Sequence, residues 1–345
     1  MIHVVTLDFP PTYDGGVATW AVELALGLHE AGRPVAVYAR SARGVSAHDR
    51  ALPFPVVRMR GRSWASRGAD WVALQVSPRV RAADAVVFAT WPLARRASRG
   101  LRRRGVPHAV AFHGSDLTRL AEAPPALEVV AAGAACLPVS AFLMGELRRM
   151  LPEQALDGSA IIPQPCGGSG GEGGDGEGLI VVARLNRLKG VDRALRLAAA
   201  LGWPITVVGD GPERAALEAL AASIGARARF TGRLSLQETL ASYGGHAACA
   251  LLPRVDRDGS GAEGFGLTLL EAMSRGVPAV GCATGGVPEA VGPGLVLAEP
   301  DNPEAAAAAV RAFLAAGDRG AEGRRWVREN HGRQRLAAAV LRALG

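Results

Sequence analysis

The sequence contains almost no lysine. Of its 39 basic residues, Lys189 alone is a lysine and the other 38 are arginines. A lysine ammonium is a compact point charge on a flexible stem, whereas the arginine guanidinium is a planar fork, and the two groups bind anions with different geometry. Lys189 is therefore a candidate for a functional position where a fork would not fit. Whether it has such a role depends on the residues around it.

Cysteine and long apolar segments are also scarce. The four cysteines, Cys136, Cys166, Cys249 and Cys282, lie far apart and form no CxxC pair, which argues against a zinc site or a disulfide framework. No apolar run approaches the ~18 residues that a membrane span needs. Residues 1–7 are typical of a first strand rather than a signal peptide. These absences predict a cytoplasmic protein.

The positive charge is concentrated in the first half of the chain. Residues 1–165 contain 19 arginines and 13 acidic residues, whereas residues 166–345 contain 20 basic and 19 acidic residues. This asymmetry indicates either an anionic partner or a solvated arginine-rich surface. Six arginines crowd one short predicted helix, and they favour docking to an anionic membrane or an acidic acceptor, or simply a solvated face: Arg95, Arg96, Arg99, Arg102, Arg103 and Arg104.

Short valine-rich runs alternate with helical stretches, which is typical of βαβ units. Seven strands are predicted before the glycine-rich segment 166–178, the last at residues 160–162, and six after it. Nearly continuous apolar strands indicate parallel sheets covered on both faces. We therefore predict an α/β protein with two Rossmann-like domains, residues 1–165 and 179–324, whose parallel sheets face a central cleft. Residues 166–178 are the predicted linker, and a helix at about 325–345 is expected to pack back on the first domain.

Two loops of the first predicted domain lie where strands end. Gly15 and Gly16 follow the first strand and open a helix, where paired glycines let backbone N–H groups approach a phosphate; the alternative is an ordinary turn. His113 follows another strand and is placed to hydrogen-bond a substrate hydroxyl, although a lone histidine is more often structural.

Two loops of the second predicted domain carry further candidates. Arg184 and Lys189 share the loop after its first strand, where an arginine fork and a lysine point charge suit a diphosphate; the alternative is a pair of solvated cations. Gly209 begins a Gly-Asp-Gly-Pro sequence that indicates a phosphate loop or, as we favour, a tight turn before a helix.

The segment from Glu263 to Glu271 is the most specific one in the chain. Two acids eight residues apart enclose a glycine-rich entry to an amphipathic helix. The entry would present backbone N–H groups to an anion, and Glu271, one turn inside the helix, is placed to accept hydrogen bonds from a ribose diol. The alternative is a surface helix with a glutamate in its first turn, where it suits the helix dipole.

A DxD sequence at Asp256 and Asp258 is a pattern that can hold Mg²⁺ or Mn²⁺ on a nucleotide diphosphate. We expect no metal, because Arg184 and Lys189 could already neutralise a diphosphate.

Taken together, these motifs resemble the GT-B retaining glycosyltransferases of family 4 (glycosyl transferases group 1). The resemblance is carried by Gly15-Gly16, Arg184 with Lys189, Gly209-Asp210-Gly211-Pro212, the pair Glu263 and Glu271, and Gly285-Gly286-Val287-Pro288-Glu289. It implies a nucleotide-diphosphate sugar held by the C-terminal domain, with a UDP-sugar favoured, and an acceptor held by the N-terminal domain. It implies no metal, no cofactor beyond the sugar nucleotide and no nucleic-acid partner.

The resemblance also implies roles for individual residues. Arg184 and Lys189 would stabilise the diphosphate leaving group, Glu263 would bind the donor sugar and His113 a sugar hydroxyl, and these four form the catalytic set. Glu271 would bind the ribose. The other implied donor-binding residues are Gly15, Gly16, Gly209, Arg233, Leu234, Gly264, Phe265, Gly266, Leu267 and Thr268.

The predicted function is transfer of a sugar to an acceptor hydroxyl of a natural product, a polysaccharide or a lipid-linked glycan, with retention and without metal. The alternatives are a related sugar-nucleotide epimerase or phosphorylase, or a non-catalytic sugar-nucleotide-binding subunit. A nicotinamide oxidoreductase is not expected, because neither half opens with GxGxxG and an acid ~20 residues further on.

Overall fold

The computed structural model describes residues 1–11, 15–59, 79–81, 84–95, 97–114, 129–130, 133–166, 176–255 and 261–345. Most of the predicted linker, the DxD aspartates Asp256 and Asp258, and Arg96 lie outside these residues. The chain divides into two compact units, the first made of Met1–Pro165 with His331–Gly345 and the second of Cys166–Asn330.

The first unit is built on a six-stranded parallel sheet with strand order β3-β2-β1-β4-β5-β6. Its strands are β1 (Ile2–Val5), β2 (Val35–Arg40), β3 (Val56–Met59), β4 (Ala85–Phe88), β5 (His108–Phe112) and β6 (Ala135–Pro138). Its helices up to the unit boundary are α1 (Gly16–Glu30), α2 (Ser46–Ala51), α3 (Trp91–Ala94), α4 (Ser98–Arg103) and α5 (Ala141–Met150), with a 3₁₀ turn at Glu153–Leu156.

The second unit repeats this topology with strand order β12-β11-β10-β7-β8-β9. Its strands are β7 (Leu179–Val182), β8 (Ile205–Val208), β9 (Ala228–Gly232), β10 (Ala248–Ala250), β11 (Ala279–Cys282) and β12 (Leu295–Leu297). Its helices are the 3₁₀ turn Arg187–Lys189, α6 (Val191–Leu201), α7 (Arg214–Ser223), α8 (Leu236–Ser242), α9 (Leu267–Ser274), α10 (Val287–Val291), α11 (Pro303–Ala315) and α12 (Arg319–Asn330).

The apolar composition of the strands follows from burial on both sheet faces. Every residue of β1 and of β8 is buried, so neither strand shows the polar alternation of a half-exposed sheet. Helix α1 buries Trp20, Leu24 and Leu28 against its sheet, as their helical spacing predicts. The α/β class and the parallel sheets are confirmed.

Residues 160–162 are not a strand, and this part of the prediction is wrong. The N–H groups of Ala160 and Ile162 do donate to the carbonyls of Cys136 and Pro138, at 3.1 and 3.0 Å. Pro138 has no N–H to return a bond, and the N–H of Cys136 donates to Ser159 Oγ at 2.8 Å instead. The segment therefore lies beside β6 with one-sided hydrogen bonds and completes no ladder.

The last helix, α13 (Arg333–Leu344), packs against α1 within the first unit. Gly27 allows the close approach, because a Cβ there would lie 2.5 Å from the carbonyl oxygen of Arg333. Arg333 forms ion pairs with Glu23 at 2.8 Å and Glu30 at 3.0 Å.

In each sheet the strand order reverses between its first and fourth strands, β1 and β4 in one unit and β7 and β10 in the other. Open α/β sheets bind ligands outside the carboxyl ends of their strands at such a switch point. The fold thus directs attention to the loops that follow β7 and β10.

Candidate functional site

The loop after β7 positions Lys189 at the switch point of the second unit. The side chain of Asn186 caps the 3₁₀ turn by accepting the Lys189 N–H at 3.2 Å. Gly190 follows with φ 62°, and a Cβ on it would lie 1.9 Å from the carbonyl oxygen of Leu252. Only glycine fits this turn, which therefore presses the Lys189 loop against the loop after β10.

Lys189 and Glu263 form an ion pair across the switch point. The Lys189 Nζ donates to Glu263 Oε2, and the two side chains are 26% and 13% exposed. The residues are 74 positions apart in the sequence, so the fold itself creates the contact. Two residues predicted separately as catalytic are thus neighbours.

Glu263 is held in place by a second loop that passes its backbone. The Gly286 N–H donates to the Glu263 carbonyl at 2.9 Å. A Cβ on Gly286 would lie 2.1 Å from the carbonyl oxygen of Gly264, so a side chain at this position would separate the loops. A Cβ on Gly285 would likewise lie 2.2 Å from the Glu263 carbonyl oxygen, so both glycines are needed for this contact. The sequence analysis named them only as part of the family resemblance.

The glycine-rich entry leads into α9 as predicted. Gly266 is the N-cap with φ 116°, no side chain caps the helix, and Leu267 and Thr268 begin its first turn. Gly264 and Phe265 are buried. Phe265 therefore anchors the entry in the core, directly before the N-terminal turn of α9.

Glu271 lies inside α9 beside a residue that the sequence analysis missed. The hydroxyl of Tyr243, a fully buried side chain that follows α8, donates to Glu271 Oε2 at 2.8 Å. Burial raises the pKa of Glu271, while the Tyr243 hydrogen bond and the charge of Arg275 act in the opposite direction. Tyr243 is one of three tyrosines in the chain, and that scarcity was the only available signal.

Other predicted residues of the second unit are more exposed or serve the backbone. Arg184 and Arg233 are exposed, and neither forms an ion pair with a described residue; Leu234 follows β9 and is partly buried. Gly209 has φ 129°, and its N–H donates to the Gly232 carbonyl at 2.9 Å. Because that N–H is already bonded, the geometry favours the tight turn over a phosphate loop.

In the first unit, Gly15 and His113 lie at the carboxyl ends of β1 and β5. Gly15 is the N-cap of α1 with φ 137°, and Gly16 begins the helix without a side-chain cap. The His113 ring lies edge-on to Trp20 of α1, with centroids 5.2 Å apart. Burial lowers the pKa of His113 to about 4, opposed by a hydrogen bond with the Ala89 backbone. At neutral pH His113 is therefore an uncharged hydrogen-bonding group.

The described residues contain no group of three or more histidine, cysteine, aspartate or glutamate side chains that could hold a metal ion. None of the helices in the described ranges is long and apolar enough to cross a membrane.

Residues 169–331, which span nearly all of the second unit, match the sequence model of the family described as Glycosyl transferases group 1. A GDP-mannose-dependent monoacylated alpha-(1-6)-phosphatidylinositol monomannoside mannosyltransferase of Corynebacterium glutamicum is 32% identical over 122 residues, 33% of this chain and 32% of the relative. The match thus spans about a third of that relative's length. A GDP-mannose-dependent alpha-(1-6)-phosphatidylinositol monomannoside mannosyltransferase of Mycobacterium tuberculosis is 27% identical over 94% of this chain and 93% of its own.

The fold is also similar to that of solved glycosyltransferases. Anabaena Alr3699/HepE, solved in complex with UDP and glucose, superposes with a TM-score of 0.71 at 16% identity, covering 99% of this chain and 98% of its own. The predicted GT-B class, with two Rossmann-like α/β units, is confirmed by this likeness.

Proposed function

Residues 169–331 match the sequence model of the glycosyl transferases group 1. We propose that this chain belongs to that family and transfers a sugar from a nucleotide-diphosphate sugar to an acceptor hydroxyl. The observation that carries the proposal is the contact of Lys189 with Glu263 at the switch point. In a sugar nucleotide the β-phosphate and the sugar are joined through one oxygen. A phosphate-binding cation and a sugar-binding carboxylate must then be neighbours, as these two are.

The proposed chemistry rests on stabilising a leaving group. As the bond between the sugar and the β-phosphate breaks, negative charge develops on the diphosphate, and Lys189 and the exposed Arg184 supply positive charge where it forms. The open N-terminus of α9 adds its dipole. Metal ions perform the same neutralisation in other enzymes, so with two cations in place we propose that no metal is needed.

We propose substitution at the front face of the sugar, with retention of configuration. Glu263 binds hydroxyls of the donor sugar and Glu271 the ribose, while Arg233 and Leu234 lie near the base. In the first unit, which we assign to the acceptor, the uncharged His113 offers a hydrogen bond to a sugar hydroxyl. Gly15 and Gly16 present the N-terminus of α1 to phosphate.

The acceptor is the least constrained partner. The relatives are named for phosphatidylinositol mannosides, and in this chain Arg95, Arg99 and Arg103 are exposed around α4. A cluster of this kind attracts anionic lipid head groups at about 1 kcal/mol per arginine. We therefore propose a lipid-linked acceptor and a cytoplasmic protein that binds the membrane surface peripherally.

The experiment is a transfer assay with purified protein, detecting products by mass spectrometry. UDP-glucose, the type of donor favoured from the sequence, and GDP-mannose, the donor in the relatives' names, form two arms, each with phosphatidylinositol mannoside as acceptor and with or without EDTA. We expect a glycosylated lipid and free nucleoside diphosphate in one arm, unchanged by EDTA. Loss of activity with EDTA that Mg²⁺ restores would contradict metal independence.

The same assay separates the alternatives. A phosphorylase or an epimerase would consume the sugar nucleotide with phosphate or water and would not need the acceptor. A binding subunit would bind nucleotide and release no product. The presence of both cations and both acids in the second unit favours the transferase.

A further inference from the structure

The pair Tyr243 and Glu271 is the strongest feature of the second unit that the proposed transfer leaves unexplained. Tyr243 is the only polar side chain that hydrogen-bonds the Glu271 carboxylate among the described residues, at 2.8 Å to Oε2. The phenol is fully buried, so its hydroxyl has no water to replace this bond. A buried hydroxyl that loses its partner costs the desolvation of that group, and this holds the two side chains together.

The two carboxylate oxygens of Glu271 have different surroundings. Oε2 accepts the phenol O–H. Oε1 accepts no hydrogen bond from any described residue, and Glu271 as a whole is only partly buried. Oε1 is therefore the oxygen left to meet a ligand. With one oxygen fixed by a rigid ring in the core, the carboxylate cannot rotate freely, and the direction of Oε1 is set.

We infer that Tyr243 is a positioning residue, whose buried hydroxyl fixes the Glu271 carboxylate so that its free oxygen meets the ribose diol of the nucleotide. The inference rests on the proposed function, which gives Glu271 the ribose. The inference adds that Tyr243, which does not touch the ligand, determines how well the protein discriminates between a ribose and a sugar without the diol. Fixing a side chain before binding avoids the entropy cost of ordering it in the complex.

The test compares nucleotides with and without the diol. Calorimetry measures the Kd of UDP and GDP and of their 2′,3′-dideoxy analogues, and the ratio of the two Kd values reports the diol contact alone. For the wild-type protein we expect the ribonucleotide to bind at least about tenfold more tightly, the value of one or two hydrogen bonds to a carboxylate. In Tyr243→Phe we expect that ratio to fall to about threefold or less, through weaker ribonucleotide binding only.

Tyr38→Phe is the matched control. Tyr38 is also a buried tyrosine whose hydroxyl has a buried partner, His3 Nδ1 at 3.2 Å, but it lies on β2 of the first unit. It should keep the wild-type ratio while losing a comparable hydrogen bond. Thermal unfolding of both variants shows whether each is folded. If Tyr243→Phe is unfolded, Tyr243→Met replaces it, because it also removes the hydroxyl and fills the buried space with an apolar side chain.

Each outcome decides the matter. Loss of the ratio in Tyr243→Phe or Tyr243→Met, with Tyr38→Phe unchanged, supports the inference. A wild-type ratio in either of those two variants overturns it, and so does a wild-type protein that binds both nucleotide forms equally. A protein that binds neither UDP nor GDP contradicts the proposed function itself, and the two failures are thereby distinguished.

Discussion

At the scale of single residues, the site combines paired and unpaired charges. Lys189 and Glu263 neutralise each other, and Glu271 is held by Tyr243, whereas Arg184 remains exposed and meets no acidic partner within the described ranges. In the proposed function, a diphosphate would meet the exposed Arg184 and a second cation, Lys189, whose carboxylate partner turns to the sugar. Partly exposed ion pairs contribute only about 0–1 kcal/mol to stability, so we propose that this pair serves ligand binding rather than folding.

Glu263→Gln tests this reading of the pair. The amide keeps the shape of the side chain and removes its charge, so we expect the transfer rate to fall by about a hundredfold or more, as when a charge-stabilising group is lost. Thermal stability should change little. Glu322→Gln is the control, because Glu322 pairs with Arg319 at 2.7 Å in the same unit, away from the switch point. Transfer at a near wild-type rate in Glu263→Gln would contradict the role.

The individual candidates differ in how far the sequence could identify them. Lys189 is unique in composition, and Glu263 and Glu271 stand at a recognisable spacing, so all three were predicted. Tyr243 was not, because its part depends on a contact with a residue 28 positions away that no local pattern reports. The ion pair of Lys189 with Glu263 was also not foreseen, since the sequence gives each loop separately and only the parallel pairing of β7 with β10 joins them.

At the scale of elements, glycines determine how closely the loops approach. Gly190 lies against the Leu252 carbonyl and Gly286 against the Gly264 carbonyl, and both contacts lie around the ion pair. Backbone atoms cannot rotate away as side chains do, so an added methyl group must move a whole loop. The loops therefore place the charged side chains, and the glycines place the loops.

Gly286→Ala is the corresponding test. Its φ is compatible with any residue, so the expected effect comes from the 2.1 Å approach of the new Cβ to the Gly264 oxygen alone. We expect a loss of about 1–3 kcal/mol in the free energy of unfolding, the usual cost of overpacking, together with loss of transfer. Gly244→Ala is the control, because its Cβ would meet its nearest atom at 3.6 Å. Urea unfolding measures the free energy of unfolding of the two variants, and the transfer assay measures their activity. Equal stability of Gly286→Ala and Gly244→Ala would contradict the packing argument.

The one predicted strand that is absent from the described ranges lies beside a proline that lacks the N–H group a ladder needs. Twelve of the predicted strands are present with ends that differ by at most two residues, because buried parallel strands have a strong apolar signal. Residues 160–162 have the same apolar signal but lie beside Pro138, which cannot return a hydrogen bond. The composition of a segment does not show whether the neighbouring strand has backbone N–H groups free to pair with it.

At the scale of the whole molecule, buried histidines couple folding to pH. Burial lowers the pKa of His113 and of His331 to about 4, and both belong to the first unit. In the unfolded chain these groups take up protons near pH 6.5, whereas in the folded protein they do so only near pH 4. The free energy of unfolding should therefore fall as the pH decreases from about 6.5 to 4, by up to about 3 kcal/mol for each histidine.

His331→Gln should reduce this pH dependence. The variant removes one of the two titrating groups, so urea unfolding followed by circular dichroism at pH 7 and pH 5 should show a smaller difference than in the wild-type protein. His29→Gln serves as the control, because His29 is exposed on α1 and should leave the difference unchanged. A His331→Gln protein with the wild-type pH dependence would show that burial of this imidazole does not control the acid response.

The central claim, that the second unit binds a nucleoside diphosphate through Lys189, is tested most directly by thermal unfolding. The wild-type protein and Lys189→Ala are heated with UDP, GDP or ADP, with EDTA present throughout. A nucleotide at 100 times its Kd stabilises the folded state by about 2.7 kcal/mol, which raises the Tm by several degrees in a protein of this size. The account predicts such a shift for one diphosphate in the wild-type protein and its loss in Lys189→Ala. No shift with any diphosphate, or equal shifts in both proteins, would contradict it.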